Sequence, residues 1–384
     1  MQIHQQVISS ETVTGSDLTA ISALGPHLVL VFASLEAMQA LDVTLLTQAV
    51  PGAQWVGCST AGEISAQGVS DHSVVLTALR FNRPEFRVVS EPLQGMADSQ
   101  AAGQRLGVQL ASPALRHVLI LGQGANINGS ALVAGMAEKL GAQVAITGGL
   151  AGDGGRFTGA QVLDPQGVTG DGLVAIGFDG PSWQITHGSL GGWQPFGPIR
   201  RVTASRDNVL VSLDGERALD IYKRYLGDYA AQLPASGLLF PWSVVNPGAP
   251  TAEKGVVRTL LGIDEAEGSL ILAGDVPHGG HLQLMHASVD ALVDAAEQAA
   301  QSADHLEAEA DDQALALLVS CVGRKLVMGS RVDEEVEAVA GVLGKAVTVA
   351  GFYSNGEICP NLPGTACHLH NQTMTITLLR EARG

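Results

Sequence analysis

Short, fully apolar runs closed by glycine alternate along the chain with longer stretches of helical periodicity, the pattern of repeated strand–helix–strand units. Leu28–Ser34 (LVLVFAS) predicts a buried strand, Leu35–Val50 a helix and Gln54–Cys58 a second strand. His117–Gly122, a helix near Ser130–Leu140 and Val144–Gly149 repeat the order, as do Ala314–Gly323, Val332–Leu343 and Ala346–Phe352. Further strands are predicted at Gly170–Phe178 and Trp183–His187, with a helix at Leu219–Leu226. The Pro/Gly-rich stretch Pro234–Pro250 marks a boundary region. An Ala-rich amphipathic helix is predicted from Leu284 to about Glu309, running into an acidic, solvated loop. The expected class is α/β: two related halves built from strand–helix–strand units with mixed sheets.

The repetition extends to residues. GCSTAGEI (Gly57–Ile64) follows the second strand of the first unit, and GFYSNGEI (Gly351–Ile358) follows that of the last. Both carry a hydroxyl at the fourth place, Thr60 and Ser354, and both end in Gly-Glu-Ile. In open sheets ligands bind beyond the carboxyl ends of strands, so both turns are candidate sites. Ser59, Thr60, Gly62 and Glu63 in the first copy, and Ser354, Asn355, Gly356 and Glu357 in the second, are the candidate ligand-binding residues. The same glycines also suit tight turns that bind nothing.

Composition narrows the partners. Among 384 residues, 21 basic side chains face 38 acidic ones, a net charge of −17. A chain this acidic, with no basic cluster, is repelled by phosphate backbones and anionic lipid, so nucleic acid and membrane surfaces are not expected partners. Mean hydropathy is +0.22, yet no stretch approaches the roughly 20 apolar residues of a spanning helix. The opening residues have neither a basic start nor an apolar core, so no export signal is expected. Four cysteines without a CxxC pair argue against a disulfide scaffold or Cys-rich zinc site. A cytoplasmic location is expected.

Other chemistry is thinner. No GxxxxGK[ST], HExxH or GxSxG occurs, and Gly148–Gly155 lacks dinucleotide-loop spacing. His278, His281 and His286 lie close in sequence, and His368 and His370 would share one face of a strand. Such imidazoles, with His187 in WQITHGSLGGW, could ligate a metal or haem. Cys58, ending a buried strand, could serve as a nucleophile, and Cys359–Pro360 is a weak thiolate signal.

With these motifs assembled, the chain resembles the FIST family of bacterial sensory domains. The resemblance runs through GCSTAGEI, GGLAGDGGRF (Gly148–Phe157), GWQPFGPIRRVT (Gly192–Thr203) and ALDIYKRYLG (Ala218–Gly227). It continues in LVMGSRVDEEVEAV (Leu326–Val339), GFYSNGEICP (Gly351–Pro360) and LHNQTMTIT (Leu369–Thr377). It implies an N-terminal module over 1–220 and a C-terminal module over 221–384, binding a small ligand and signalling through a separate protein. Without an output domain, the chain looks like the NosP subset, which implies haem, nitric-oxide sensing and regulation of a separate histidine kinase, with His370 or His187 as the axial ligand. The alternative is a sensor of a small polar metabolite such as an amino acid, its ammonium held by Glu63 and Glu357. A Cys58-dependent enzyme is the third reading.

Overall fold

The computed structural model describes residues 1–157, 159–246, 255–305, 313–360 and 364–382. The α/β class and mixed sheets are found, and the related units at the two ends of the chain are joined by a third copy between them. Each copy is a four-stranded mixed sheet with the same order. The first runs Gln2–Ile8, Val74–Arg80, Leu28–Ala33, Gln54–Ser59; the second Phe86–Pro92, Gly172–Asp179, Leu115–Gly122, Ala145–Leu150. The third runs Trp183–Leu190, Met374–Glu381, Ala314–Cys321, Val347–Ser354. In each the last two strands are parallel, joined by the helical crossover that parallel pairing requires.

These sheets face one another around a common axis, which explains the unbroken apolar runs. Leu28, Leu30 and Phe32, Leu119 and Leu121, and Leu315, Leu317 and Val319 meet in one central core. The alternate residues Val29 and Val31, Val118 and Ile120, and Ala316 and Leu318 pack outward under each sheet's own helices. A strand buried on both faces has no polar side to show.

The repeats are laced by exchanged hairpins. The hairpin of the first repeat, Glu63–Ser65 with Gly68–Ser70, pairs with strand Val347–Ser354 of the third. That of the second, Val162–Asp164 with Gly167–Thr169, pairs with Gln54–Ser59 of the first. That of the third, Gly356–Pro360 with Cys367–His370, pairs with Ala145–Leu150 of the second. Three amides close the ring: Ala61 donates to the Tyr353 carbonyl at 2.8 Å, Gly152 to Ser59 at 2.8 Å and Asn355 to Leu150 at 3.1 Å. Gly57, Gly148 and Gly351 hold equivalent places, where a Cβ would lie 2.0, 1.9 and 1.8 Å from the carbonyl oxygens of Val31, Ile120 and Leu318.

After Trp183–Leu190 the chain leaves the third repeat, builds a separate β-domain and returns at helix Val289–Ala303. Strands Gln194–Arg206, Val209–Leu213, Trp242–Val245, Leu260–Asp264, Ser269–Leu272 and His281–His286 carry this inserted domain. With helix Ala218–Leu226 they enclose a core of Val202, Tyr222, Trp242 and Leu282. Residue 220 falls inside that helix, and strands from both sides of it share three of the four sheets.

Two predicted helices differ. Leu35–Val50 is divided into Leu35–Gln39 and Val43–Ala49, because the Asp42 side chain caps a new start by accepting from the Thr44 and Leu45 amides. Leu284–His286 belongs to a strand paired with Gln194–Arg206, and the following helix starts after the N-cap Ser288. Leu282 and Leu284 alternating around Gln283 is a period of two that runs into the start of what the sequence reads as helix. The acidic run 306–312, and 247–250 of the boundary stretch, lie outside the described residues. Among the described residues no helix is long and apolar enough to cross a membrane.

Candidate functional site

The two Gly-Glu-Ile turns occupy equivalent places. Each follows the last strand of its repeat and crosses to a neighbouring sheet, and each glutamate is buried at the crossing: Glu63 is 1% exposed and Glu357 0%. Thr60 Oγ1 donates to Glu63 Oε1 at 2.5 Å, while the Ser73 amide and hydroxyl donate to Oε2 at 3.2 and 2.7 Å. Ser354 Oγ donates to Glu357 Oε1 at 2.7 Å, while the Thr373 amide and hydroxyl donate to Oε2 at 3.1 and 2.9 Å. Each carboxylate thus staples its turn to the start of the strand that closes the repeat. Burial raises the Glu63 carboxyl against these hydrogen bonds, and carries that of Glu357 up to about 7.

Beside each turn lies a cleft. The larger, about 530 Å³, lies beside Thr60, Gly62 and Glu63 and draws on all three repeats. The first adds Glu36, Asp71 and His72, the second Arg156, and the third Lys325. Lys325 Nζ donates to the Ala61 carbonyl at 2.9 Å, pairs with Asp71, and stands 5.4 Å above the Tyr353 ring. Arg156 Nη1 donates to Glu36 Oε1 at 2.8 Å, which holds that carboxyl below its ordinary range. Gly62, at φ +136°, leaves the turn open: a Cβ there would come within 2.3 Å of Lys325 Nζ. The second cleft, about 360 Å³, takes Asn355 from the other turn.

The remaining predicted residues serve the frame. Ser59 Oγ donates to the Gly152 carbonyl at 2.6 Å and accepts from the Gln161 amide, tying the first repeat to the second rather than lining a cleft. Ser354 holds Glu357, and Gly356 opens the strand paired with Leu150. Cys58 is fully buried and burial pushes its thiol well up, the opposite of what a nucleophile needs.

Haem does not fit the two histidines as they stand. His370 is buried, with Nε2 2.8 Å from the carbonyl of Cys359 across its own hairpin, and its pKa drops to about 4 because burial disfavours the charged ring. His187 is 8% exposed on strand Trp183–Leu190, its pKa lowered by the same cause. Neither lines either large cleft. Among the described residues, the one trio of metal-ligating groups within mutual reach is Glu11, Glu36 and His72, at the rim of the larger cleft. It includes none of the histidines singled out from sequence.

His117, beneath the axial core, gives a pH prediction. Its Nε2 lies 2.8 Å from Thr147 Oγ1, and burial, reinforced by the charge of His187, lowers its pKa to about 3. The unfolded ring titrates near 6.5, so its contribution to stability is complete above that pH and drains away as the pH falls towards 3. The slope is about 1.4 kcal/mol per pH unit. Glu357, raised by burial, slopes the other way between 4.5 and about 7, so the test is a difference. Urea unfolding of His117→Leu between pH 4 and 6.5 is expected to show a pH slope smaller by about one proton than the parent's. Equal slopes would mean the native ring already takes up its proton in that range.

The part of this cleft missed by sequence reasoning is built from first-strand ends: Ser34–Glu36 and Val322–Lys325 follow the strands that open the first and third units. The rule that ligands lie beyond strand carboxyl ends covers these as well as the turns after the second strands. Arg156 had no such signal, since it sits in the long excursion before the second hairpin.

The geometry defines a threefold α/β scaffold that offers ligand clefts where its repeats meet. The FIST N domain model matches residues 27–216 and the FIST C domain model residues 218–360, so the chain belongs to the FIST family, whose domains are signal-transduction sensors. Among curated proteins nothing matches it. Among solved structures it is similar to the cyanuric acid hydrolase of A. caulinodans, at 12% identity and TM-score 0.38, over 100% of this chain and 99% of that one. A second cyanuric acid hydrolase structure, described as an evolutionary innovation by structural concatenation, gives 10% identity and TM-score 0.34 over 99% of both chains. At such scores the likeness carries no information about chemistry.

Proposed function

We propose that this chain senses a small zwitterionic metabolite, of the amino-acid class, in the cleft beside Thr60–Glu63, and signals through a separate protein such as a histidine kinase. One observation carries the reading: three repeats contribute opposite charges, Lys325 and Arg156 against Glu36 and Asp71, to one cleft of about 530 Å³. A ligand carboxylate would meet Arg156 or Lys325, and its ammonium Glu36 or Asp71, through charge-assisted hydrogen bonds. Glu63, with three donors already on its carboxylate, would act by fixing Thr60 and the turn. Because the walls belong to different repeats, occupancy would shift how those repeats sit against each other, the kind of population shift a partner can read.

A thermal-shift screen of the common amino acids tests this. At least one is expected to raise the melting temperature by several degrees at about 100 times its dissociation constant, and Lys325→Met and Arg156→Met are expected to abolish that rise. A screen without a hit, or a rise unchanged in both variants, would overturn the assignment. The haem and nitric-oxide reading rests on family resemblance and would require His370 or His187 to leave its present surroundings. Haem titration is accordingly expected to give no Soret spectrum that His370→Ala or His187→Ala removes.

A further inference from the structure

We propose a divalent-metal site of the zinc class at the rim of the charged cleft, formed by His72, Glu11 and Glu36 and open to the cleft on its remaining side. Strand pairing brings the three together. Ile8, Val74 and Ala33 lie in one row across three adjacent strands of the first repeat. The chain meets that row three times: Glu11 stands three residues after Ile8, His72 two before Val74 and Glu36 three after Ala33. One ligand atom from each side chain then lies within 4.8 Å of the other two.

The spacing is that of a coordination shell. His72 Nδ1 stands 3.5 Å from Glu11 Oε1, long for a charge-assisted hydrogen bond of about 2.7–2.9 Å. It suits two ligands that each approach one tetrahedral ion to about 2.0–2.2 Å. Arg156 donates to Glu36 Oε1 at 2.8 Å, which leaves Oε2 for the ion and orients the carboxylate as an outer-shell partner does. The imidazole favours zinc over calcium and magnesium, which prefer shells of oxygen alone. Three protein ligands leave a position for water or for a group of a bound molecule, and Glu36 and His72 both line the cleft. The ion would also fix the segment around His72. Its neighbour Asp71 pairs with Lys325, and its neighbour Ser73 holds Glu63. With zinc on Glu36, Asp71 is the carboxylate left for a ligand ammonium; the metal site itself does not rest on the zwitterion reading.

Zinc chloride, titrated calorimetrically into the tag-free full chain with no amino acid present, is the probe. One equivalent is expected to bind saturably. Glu11→Gln and His72→Asn are each expected to weaken that binding by about 10-fold or more. Asparagine suits the left-handed backbone of residue 72, at φ +56°, and both residues are exposed, so both variants keep the fold. Lys325→Met, which removes the expected amino-acid response, is expected to retain zinc binding, so the two readings fail separately. No saturable binding of zinc, or binding unchanged in either Glu11→Gln or His72→Asn, would overturn the proposal.

Discussion

Glu335→Leu is expected to lower stability by about 3–5 kcal/mol, the loss that follows when one partner of a buried ion pair is removed. Arg324 and Glu335 are both 0% exposed, with Nη2 to Oε2 at 2.7 Å. Ser320 Oγ and Tyr353 Oη also donate to Glu335 Oε1, at 3.0 and 2.6 Å, so three elements of the third repeat converge on this carboxylate. Arg324 reaches on to the carbonyls of Gly191 and Leu292 at 2.6 and 2.9 Å. Removing the glutamate strands a guanidinium in the interior. The same network anchors helix Val322–Met328, whose next residue, Lys325, enters the charged cleft, so loss of stability and loss of ligand response should appear together. Urea unfolding is the measurement, and the double variant Arg324→Met/Glu335→Leu is expected to recover a large part of the loss. A single variant within about 0.5 kcal/mol of the parent would show that the pair is not buried as described.

Gly351→Ala is the second large effect, with an expected loss of more than about 3 kcal/mol, because the added carbon has nowhere to go. It would lie 1.8 Å from the carbonyl oxygen of Leu318 and 2.7 Å from its carbon, both backbone atoms of the paired strand. Only separation of strands Ala314–Cys321 and Val347–Ser354 makes room, and that opens the axial core. Gly57→Ala and Gly148→Ala meet the same obstacle in the other two repeats. Gly341→Ala is the control: it lies inside helix Asp333–Leu343 with nothing within 4 Å of the new carbon. It is expected to gain up to about 1 kcal/mol. Thermal unfolding of the four variants checks the contrast, and a Gly351→Ala protein melting with the parent would refute the close approach.

The sequence displays what repeats locally. Apolar runs such as LVLVFA and LALLVS announce strands buried on both faces, and the two Gly-Glu-Ile turns reveal the outer repeats. The strand–helix–strand unit of the middle repeat is equally legible, but its turn, GGLAGDGG, lacks that ending, so its kinship with the other two turns does not show in the sequence. Hairpin exchange is invisible for a different reason: pairing Gly351 with Ile64 or Cys58 with Val162 is a long-range contact with no local signature. The candidate residues were legible as motifs but not as roles. Glu63 and Glu357 carry the right spacing from Thr60 and Ser354, yet the partners that occupy them, Ser73 and Thr373, come from the following strand. The charges of the cleft, Arg156 and Lys325, were found only when three repeats had been folded together.

The most direct test of the sensor assignment is equilibrium dialysis of the protein against an equimolar mixture of the common amino acids, with mass-spectrometric analysis of the retained fraction. Enrichment of one or a few amino acids by the parent, lost in Lys325→Met and retained in Asn355→Ser, is the predicted result. No enrichment, or the same enrichment in Lys325→Met, would contradict a zwitterion site where the three repeats meet.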